Sequence, residues 1–374
     1  MELVVRKNDL LRELQLFQGI VERKNTIPIL ANLLMEAKGD QVSFLATDLE
    51  VGLRSKCAAA VTKPGSLTLP AKKFFEIVKS LPETDIRIAE DKGGVKIAAD
   101  RFDSRLQTLP REDFPTLPES GGTPTAALER SAVKEMVAKT QFAITGEDTR
   151  YFLNGALFVL KPEEMSLVAT DGHRLALVSV TRNGGGSGKA GNDAEESKAI
   201  LPKKTLGELG RLLGEGDGDI GYERGENHLF FQVGDRMLIS RMIDGQFPAY
   251  ERVIPKGNDK HIEFERDRLT SAVKRVALLS NERSRAVKMQ IEKGKVDVTS
   301  SSPDLGEAKE TLPVEYSGSP MQICFNAQYV LDFLAAVATD VVSLELKDEV
   351  SQAVMKPVGA EGYDYTYVIM PMRV

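Results

Sequence analysis

Cysteine is almost absent from this chain. Cys57 and Cys324 are the only two in 374 residues, and neither has a partner at metal-ligand spacing. That excludes a disulfide framework and a zinc site, and it predicts two buried thiols and no metal. Long apolar runs are missing too. No window approaches the ~18 residues of a membrane span. Met1 to Asn8 (MELVVRKN) opens directly into a strand-like run without a signal-peptide core, so the expectation is a soluble, cytoplasmic protein with no membrane partner. There is no zinc-finger spacing, basic zipper or RNA-binding aromatic motif, so nothing in the chain reads bases. Histidine contributes three residues. What is present is a hydrophobic content of 42%, ample for buried cores, and a length suited to two or three domains of about 100–150 residues. Lys plus Arg number 49 against 55 Asp plus Glu, a net charge of −6, which ordinarily counts against a nucleic-acid partner.

The stretch Met165 to Val180 (MSLVATDGHRLALVSV) places Asp171-Gly172 between two alternating apolar and polar runs, which predicts a tight hairpin turn. His173 and Arg174 follow that turn. An acid, an imidazole and a guanidinium within four residues suit either chemistry or the rim of a docking site. A hydrolase built on Asp171 and His173 needs a nucleophile and an orienting group, and the sequence offers neither.

The chain reads as three copies of one unit. Copy one has a strand at Leu3–Val5, Asn8 as N-cap of a helix with Leu10, Leu11, Leu14, Phe17 and Val21 on one face, and a strand at Ala31–Glu36. A hairpin around Thr47-Asp48 follows, then Leu67–Pro70 and a helix opened by that proline. Arg111 to Thr125 (REDFPTLPESGGTPT) reads as a linker. Copy two repeats the order with a helix near Ser131–Ile144, Leu153–Leu160, the Thr170-Asp171 hairpin and Leu201-Pro202 before a second helix; Phe247-Pro248 echoes Phe114-Pro115. Copy three has helices near Asp267–Ser280 and Asn326–Ala338 and ends on Tyr365–Met370. The middle copy carries an insertion, located at Arg182–Ser197 (RNGGGSGKAGNDAEES). Gly188-Lys189 does not open a phosphate cradle, because Asn183 and Ala190 stand where glycine and Ser/Thr are needed. Each copy is an α+β unit of two helices on antiparallel sheets, with boundaries at 1–120, 126–253 (the Gly-rich insertion near 183–197) and 259–374.

Charge is segregated. The six predicted helices with their flanks carry 20 basic and 10 acidic residues, so the helical layer is +10 and the remainder −16. A globally acidic protein can thus present one basic surface to a phosphate backbone, although solvated helix faces give the same count.

Eight segments together resemble the beta sliding clamps of the bacterial replicative DNA polymerase: Ile27-Pro28-Ile29-Leu30, Thr47-Asp48-Leu49-Glu50, Leu69 to Phe75 (LPAKKFF), Arg150 to Gly155 (RYFLNG), Ala169 to Ala176 (ATDGHRLA), Asp244 to Pro248 (DGQFP), Leu279 to Glu282 (LSNE) and Met370 to Arg373 (MPMR). The resemblance covers the whole chain in order. It implies three tandem clamp domains, closing with a second chain as a head-to-tail homodimeric ring of six, with helices lining the hole and sheets outside. It implies a non-catalytic accessory subunit without cofactors. Its partners would be double-stranded DNA, the replicative polymerase subunit, the clamp loader and other proteins carrying short clamp-binding peptides.

Site residues follow from that resemblance. The peptide pocket would comprise Leu153, Thr170, Gly172, His173, Arg174, Leu175, Pro248, Arg252, Val253, Asn326, Tyr329, Val350, Val368, Met370, Pro371, Met372 and Arg373. Apolar walls with methionines suit varied peptides, while His173, Arg174 and Arg373 could hold carbonyls or carboxylates. A frayed tail is the alternative for Met370–Val374; the apolar spacing of Tyr367, Ile369 and Pro371 favours a strand edge. DNA would meet Arg23, Lys24, Lys72, Lys79, Arg150, Tyr151, Lys203 and Lys204, each otherwise an ordinary surface residue. Phe152 stands where the family leads one to expect a second tyrosine. Ring closure would join Leu106, flanked by Arg101 and Lys73, to Leu278 and Leu279, flanked by Asp304, Glu307 and Glu310. Gly306 and Lys309 interrupt that acidic run, which predicts a weaker dimer. A hydrolase using Asp171 and His173 is the rival reading, and a peptide-binding scaffold that has lost its ring is the third.

Overall fold

The computed structural model describes residues 1–21, 27–146, 148–182, 196–214 and 216–373. The first copy runs β1 (Glu2–Arg6), α1 (Lys7–Phe17), β2 (Asn32–Lys38), β3 (Gln41–Thr47), β4 (Val51–Ala58), β5 (Ala60–Lys63), β6 (Gly65–Pro70), α2 (Ala71–Ser80), β7 (Asp85–Asp91), β8 (Gly94–Ala99) and β9 (Phe102–Gln107). The second runs β10 (Ala126–Leu128), α3 (Arg130–Thr140), β11 (Gly155–Leu160), β12 (Glu164–Thr170), β13 (Arg174–Thr181), β14 (Ser197–Pro202), α4 (Lys203–Leu212), β15 (Ile220–Arg224), β16 (His228–Val233) and β17 (Arg236–Arg241). The third runs β18 (Lys260–Glu265), α5 (Arg266–Ala277), β19 (Ala286–Glu292), β20 (Lys295–Ser302), β21 (Gly306–Pro313), β22 (Met321–Asn326), α6 (Ala327–Ala336), β23 (Val341–Leu346), β24 (Ala353–Pro357) and β25 (Asp364–Ile369). Short β5 aside, each copy is strand, helix, four strands, helix, three strands. The predicted threefold repeat is present. Its insertion falls largely on residues 183–195, which lie outside the described ones.

Most of these helices start directly from a strand, and a backbone carbonyl from elsewhere in the copy receives a first amide. Lys7 N–H donates to Thr84 O (3.1 Å), Lys203 N–H to Asn154 O (3.0 Å), Arg266 N–H to Asp340 O (2.8 Å) and Ala327 N–H to Arg285 O (2.8 Å). A first-turn donor is thereby satisfied without a side chain. This corrects the Asn8 cap: α1 starts two residues earlier, at Lys7 after the extended Arg6, with no side-chain cap. Asn326 does cap α6, accepting from Gln328 N–H at 2.9 Å.

The three copies do not coincide with the compact units, of which there are two. Among the described residues, one holds 1–130 and 204–242, the other 131–203 and 243–373. Strand pairing explains the division of the middle copy. In the first unit β17 pairs antiparallel with β4, giving an eight-stranded sheet β10-β15-β16-β17-β4-β3-β2-β6 beside a five-stranded sheet β5-β1-β7-β8-β9. In the second, β13 pairs with β25, giving β14-β11-β12-β13-β25-β24-β23-β18 beside β21-β20-β19-β22. The first core is built around Phe17, Phe44, Phe74, Tyr222 and Phe231, the second around Phe325, Phe333 and Tyr367. β25 therefore lies in the interior of its sheet, between β13 and β24, and the expected strand edge is corrected. Both cysteines are buried, as expected, and burial raises the Cys57 thiol to about 12.

Candidate functional site

All seventeen residues of the expected pocket belong to the second unit, and antiparallel pairing gathers their loops at one end of its larger sheet. Arg174 pairs with Ile369 and Ala353 with Ile369, so the turn before β13, the loop before β24 and the tail after β25 leave the sheet together. Beneath them Leu175 and Val368 pack with Leu157, Val159, Val168, Ile200, Phe247 and Val354, and Val253 and Tyr250 lie against that cluster. Above it Val350 is 64% exposed and Met370 38% exposed. Asp348 fixes the Val350 loop by accepting from Val350 N–H (3.0 Å) and Ser351 N–H (2.6 Å), bonds that hold its carboxyl below the ordinary range. The tail is held as far as Met372: Met370 N–H donates to His173 O (2.9 Å) and Met372 N–H to Cys324 O (2.8 Å).

The Asp171-Gly172 turn is wider than a two-residue hairpin, because the closing pair is Thr170 with Leu175. Thr170 Oγ1 donates to Arg174 O (2.6 Å), and Asp171 Oδ1 accepts from His173 N–H (2.9 Å) and Arg174 N–H (3.0 Å). Side-chain oxygens thus take over the turn's backbone bonding. Gly172 has φ +88°, a conformation cheap only for glycine. The Asp171 carboxylate is committed to amides and to Arg174, not to the imidazole, so the geometry gives the hydrolase reading no support.

Arg174 differs most from its expected role. Its side chain is 9% exposed. Nε donates to Asp171 Oδ2 (2.9 Å), Nη1 to Asp332 Oδ2 (2.5 Å) and Nη2 to Phe142 O (2.7 Å), and Cζ stands 4.3 Å from the Tyr329 ring centroid. The guanidinium is a strut that ties the turn to α6 and to the segment after α3, rather than a free hand for a ligand. Sequence reasoning missed Asp332 and Phe142. A signal existed for Asp332, the lone charge between residues 326 and 338.

The basic candidates divide between the units. Lys72 and Lys79 are exposed on α2 in the first unit. Lys204, in the same unit, is already paired with Asp48 and donates to Ile20 O at 3.1 Å. Arg150, Tyr151 and Lys203 belong to the second unit. Tyr151 is 58% exposed, and Lys203 Nζ donates to Ile144 O at 2.9 Å. Arg23 and Lys24 lie outside the described residues. The six helices as built carry 15 basic and seven acidic residues, so the segregation of charge stands with the observed bounds.

Arg150 wraps Asp148 through its backbone N–H (2.8 Å), Nε (3.0 Å) and Nη2 (2.8 Å). The side-chain bond from Arg150, then the backbone one, lowers the Asp148 carboxyl from its ordinary 3.8 to about 2. A carboxyl depressed by folding stabilises above its unfolded pKa and loses that contribution as pH falls through the folded one. The pair is therefore expected to be intact above about pH 4 and lost toward pH 2. A carbon-13 titration of the Asp148 carboxyl should show its midpoint there and move it up toward the ordinary range in Arg150→Ala, which keeps only the backbone bond. An unshifted wild-type midpoint would refute the pairing.

Three of the expected ring-closing residues, Leu106, Glu307 and Glu310, lie on strands that end a sheet. β9, carrying Leu106, ends the five-stranded sheet, and β21, carrying Glu307 and Glu310, ends the four-stranded one. Leu106 and Leu279 are half-buried, whereas Leu278, just past α5, is 75% exposed. Arg101, Lys73, Asp304 and Glu307 are exposed, but Lys73 already bonds Glu76 at 2.7 Å. Glu310 is held in a bidentate pair by Arg275 (2.6 and 2.9 Å), and Lys309 reaches Asp297 (2.8 Å). Successive strand residues face opposite ways, so Lys309 and Glu310 act on different faces of β21.

Three family models cover the chain: the DNA polymerase III beta subunit N-terminal domain at residues 1–118, its central domain at 127–249 and its C-terminal domain at 251–373. The chain is 38% identical to the beta sliding clamp of Pseudomonas putida and 37% identical to that of Escherichia coli, over all of both chains in each case. Among solved structures, a sliding clamp (DNA polymerase III subunit beta) from Pseudomonas aeruginosa bound to griselimycin matches with a TM-score of 0.92 at 37% identity, again over 100% of both chains. A repeat of three α+β copies, two eight-stranded sheets that each join neighbouring copies, and likeness along the full length converge: the chain belongs to the DNA polymerase III beta subunit family, the beta sliding clamps.

Proposed function

We propose that two copies of this chain close head to tail into a ring around duplex DNA and act there as the non-catalytic processivity factor of DNA polymerase III in the cytoplasm. The six domains of the ring would be 1–120, 126–253 and 259–374 of each copy. Two of the sheet-ending strands, β9 and β21, carry the expected closing residues and support closure by strand-to-strand pairing. The net positive helices support a lining that touches phosphates without reading bases. Retention then comes from topology, and a tethered polymerase meets its template at high effective concentration.

The observation that carries the tethering role is the bonded tail, Met370 to Met372, laid beside the Thr170–Leu175 turn over an apolar cluster. Methionines at the rim repack around different side chains, which suits several peptides rather than one. The test combines Met372→Ala with deletion of residues 373–374. Binding of a Gln-x-x-Leu-Phe peptide is expected to fall by at least tenfold, about 1.4 kcal/mol, and primer-extension products by the cognate polymerase to shorten. Unchanged peptide affinity would sink the pocket assignment.

A further inference from the structure

The larger sheet of the first unit carries a second copy of the groove frame. Register fixes the correspondence. Leu34 pairs with Leu45 as Leu157 pairs with Val168, and Ile239 pairs with Gly52 as Val368 pairs with Leu175. The Thr47–Gly52 turn repeats Thr170–Leu175 bond for bond: Thr47 Oγ1 donates to Val51 O (3.0 Å), and Asp48 Oδ1 accepts from Glu50 N–H (2.9 Å) and Val51 N–H (2.7 Å). Phe114 packs with Ile29, Leu30, Leu34 and Leu45 as Phe247 packs in its own cluster.

Two differences close the frame. Gly52 stands where the second unit has Leu175, and Leu117 Cδ1 lies 2.6 Å from where a Cβ on Gly52 would be. After Phe247-Pro248 the chain coils, with Arg252 N–H on Ala249 O (3.1 Å) and Val253 N–H on Tyr250 O (2.9 Å). After Phe114-Pro115 it has no helical turn through residue 120. Leu117 precedes Pro118, and a residue before proline is driven out of the helical region, while Pro118 itself has no N–H to give. The segment becomes a strap flanked by two cavities of about 330 and 320 Å³ that share Arg54. It is anchored at both ends: Arg111 to Glu36 (2.6 Å) and Thr68 Oγ1 to Leu109 O (2.7 Å) before it, Gly121 N–H to Glu223 Oε1 (2.6 Å) and Thr125 N–H to Tyr222 O (2.7 Å) after it.

We infer that Leu117 is a built-in occupant of a second groove, and that the strap closes the first sheet to clamp-binding peptides so that each chain offers one groove instead of two. The inference rests on the peptide-binding reading of the second sheet. Leu117 supplies from within the apolar anchor that a peptide leucine would supply from outside, and a fixed internal anchor excludes the external one.

Counting sites per chain by calorimetry with the peptide Gln-Ala-Ala-Leu-Phe tests it. Wild type should bind one peptide. Leu117→Ala with Pro118→Glu, which removes the anchor and lets the segment coil, should bind two, the second more weakly. Adding Met372→Ala and deletion of residues 373–374 should leave only the new site. Should the double variant fail to fold, Leu117→Ala alone keeps both prolines, and peptide-dependent shifts of the Leu45 and Ile239 methyls read the same opening. A folded variant without a gained site, or a wild type with two, overturns the inference. A wild type that binds none sinks the reading of the second sheet, and a site gained by the variant would still uphold the occupant role of Leu117.

Discussion

Arg174→Ala is expected to destabilise the second unit by about 3–5 kcal/mol, the usual cost of removing one partner from a buried ionic cluster. The loss is large because the guanidinium serves three elements. Without it Asp171 and Asp332 face each other's charge with no cation between them, and Phe142 O loses its donor. Arg174→Lys should recover little of this, since an ammonium cannot bond in three directions within one plane. Urea unfolding of wild type and both variants checks the magnitude, and peptide affinity should fall with stability because the turn and α6 lose their common strut. A cost below about 1 kcal/mol, the scale of exposed pairs, would mean that the network does not hold the groove.

The second large effect concerns closure. Leu278→Asp should leave the single chain almost as stable as before, because a residue 75% exposed makes few contacts to lose and surface changes stay within about 0.5 kcal/mol. In the closed ring the same side chain would be buried, and an unpaired charge costs about 3–5 kcal/mol at each of the two interfaces, which is roughly four to seven powers of ten in the dissociation constant when both open. Sedimentation equilibrium should then find 41.0 kDa where twice that mass is expected for wild type, and retention on nicked circular DNA should disappear. A dimer unmoved by the substitution would put the closing surface elsewhere. The interrupted acidic run has a milder consequence than the sequence suggests, since Lys309 is directed to Asp297 and Glu310 is already neutralised by Arg275.

Much of this was legible beforehand because it is local. Period-2 runs around Thr47-Asp48 and Thr170-Asp171, the Pro70 and Pro202 helix starts and the 3.6-residue spacing of Leu10, Leu14 and Phe17 each mark an element within a dozen residues. The pairing of β17 with β4 and of β13 with β25 was not legible. It joins segments nearly two hundred residues apart, and alternation within a strand says which face is buried but not which strand lies beside it. The same limit hid the commitments of Arg174, Lys203 and Lys204, whose partners come from other elements. The linker at 111–125 was read as a spacer for its Pro, Gly and acid content, yet its Phe114 is 8% exposed and enters a core; composition counts residues, whereas two apolar side chains at the right positions decide what a strap covers.

The interior position of β25 bears on how the chain is made. β13 leaves the ribosome about 190 residues before its neighbour β25, a wait on the order of 10–40 s at ordinary elongation rates of ~5–20 residues per second. During that interval the sheet ends in an unpaired, apolar strand, the kind of edge that templates association. β25 covers it only when it follows, and the residues directly after it, Met370 to Arg373, complete the rim. Synthesis that stops early therefore yields a chain with an open sheet as well as no groove, a substrate for proteolysis instead of a ring subunit that would occupy DNA without holding a polymerase.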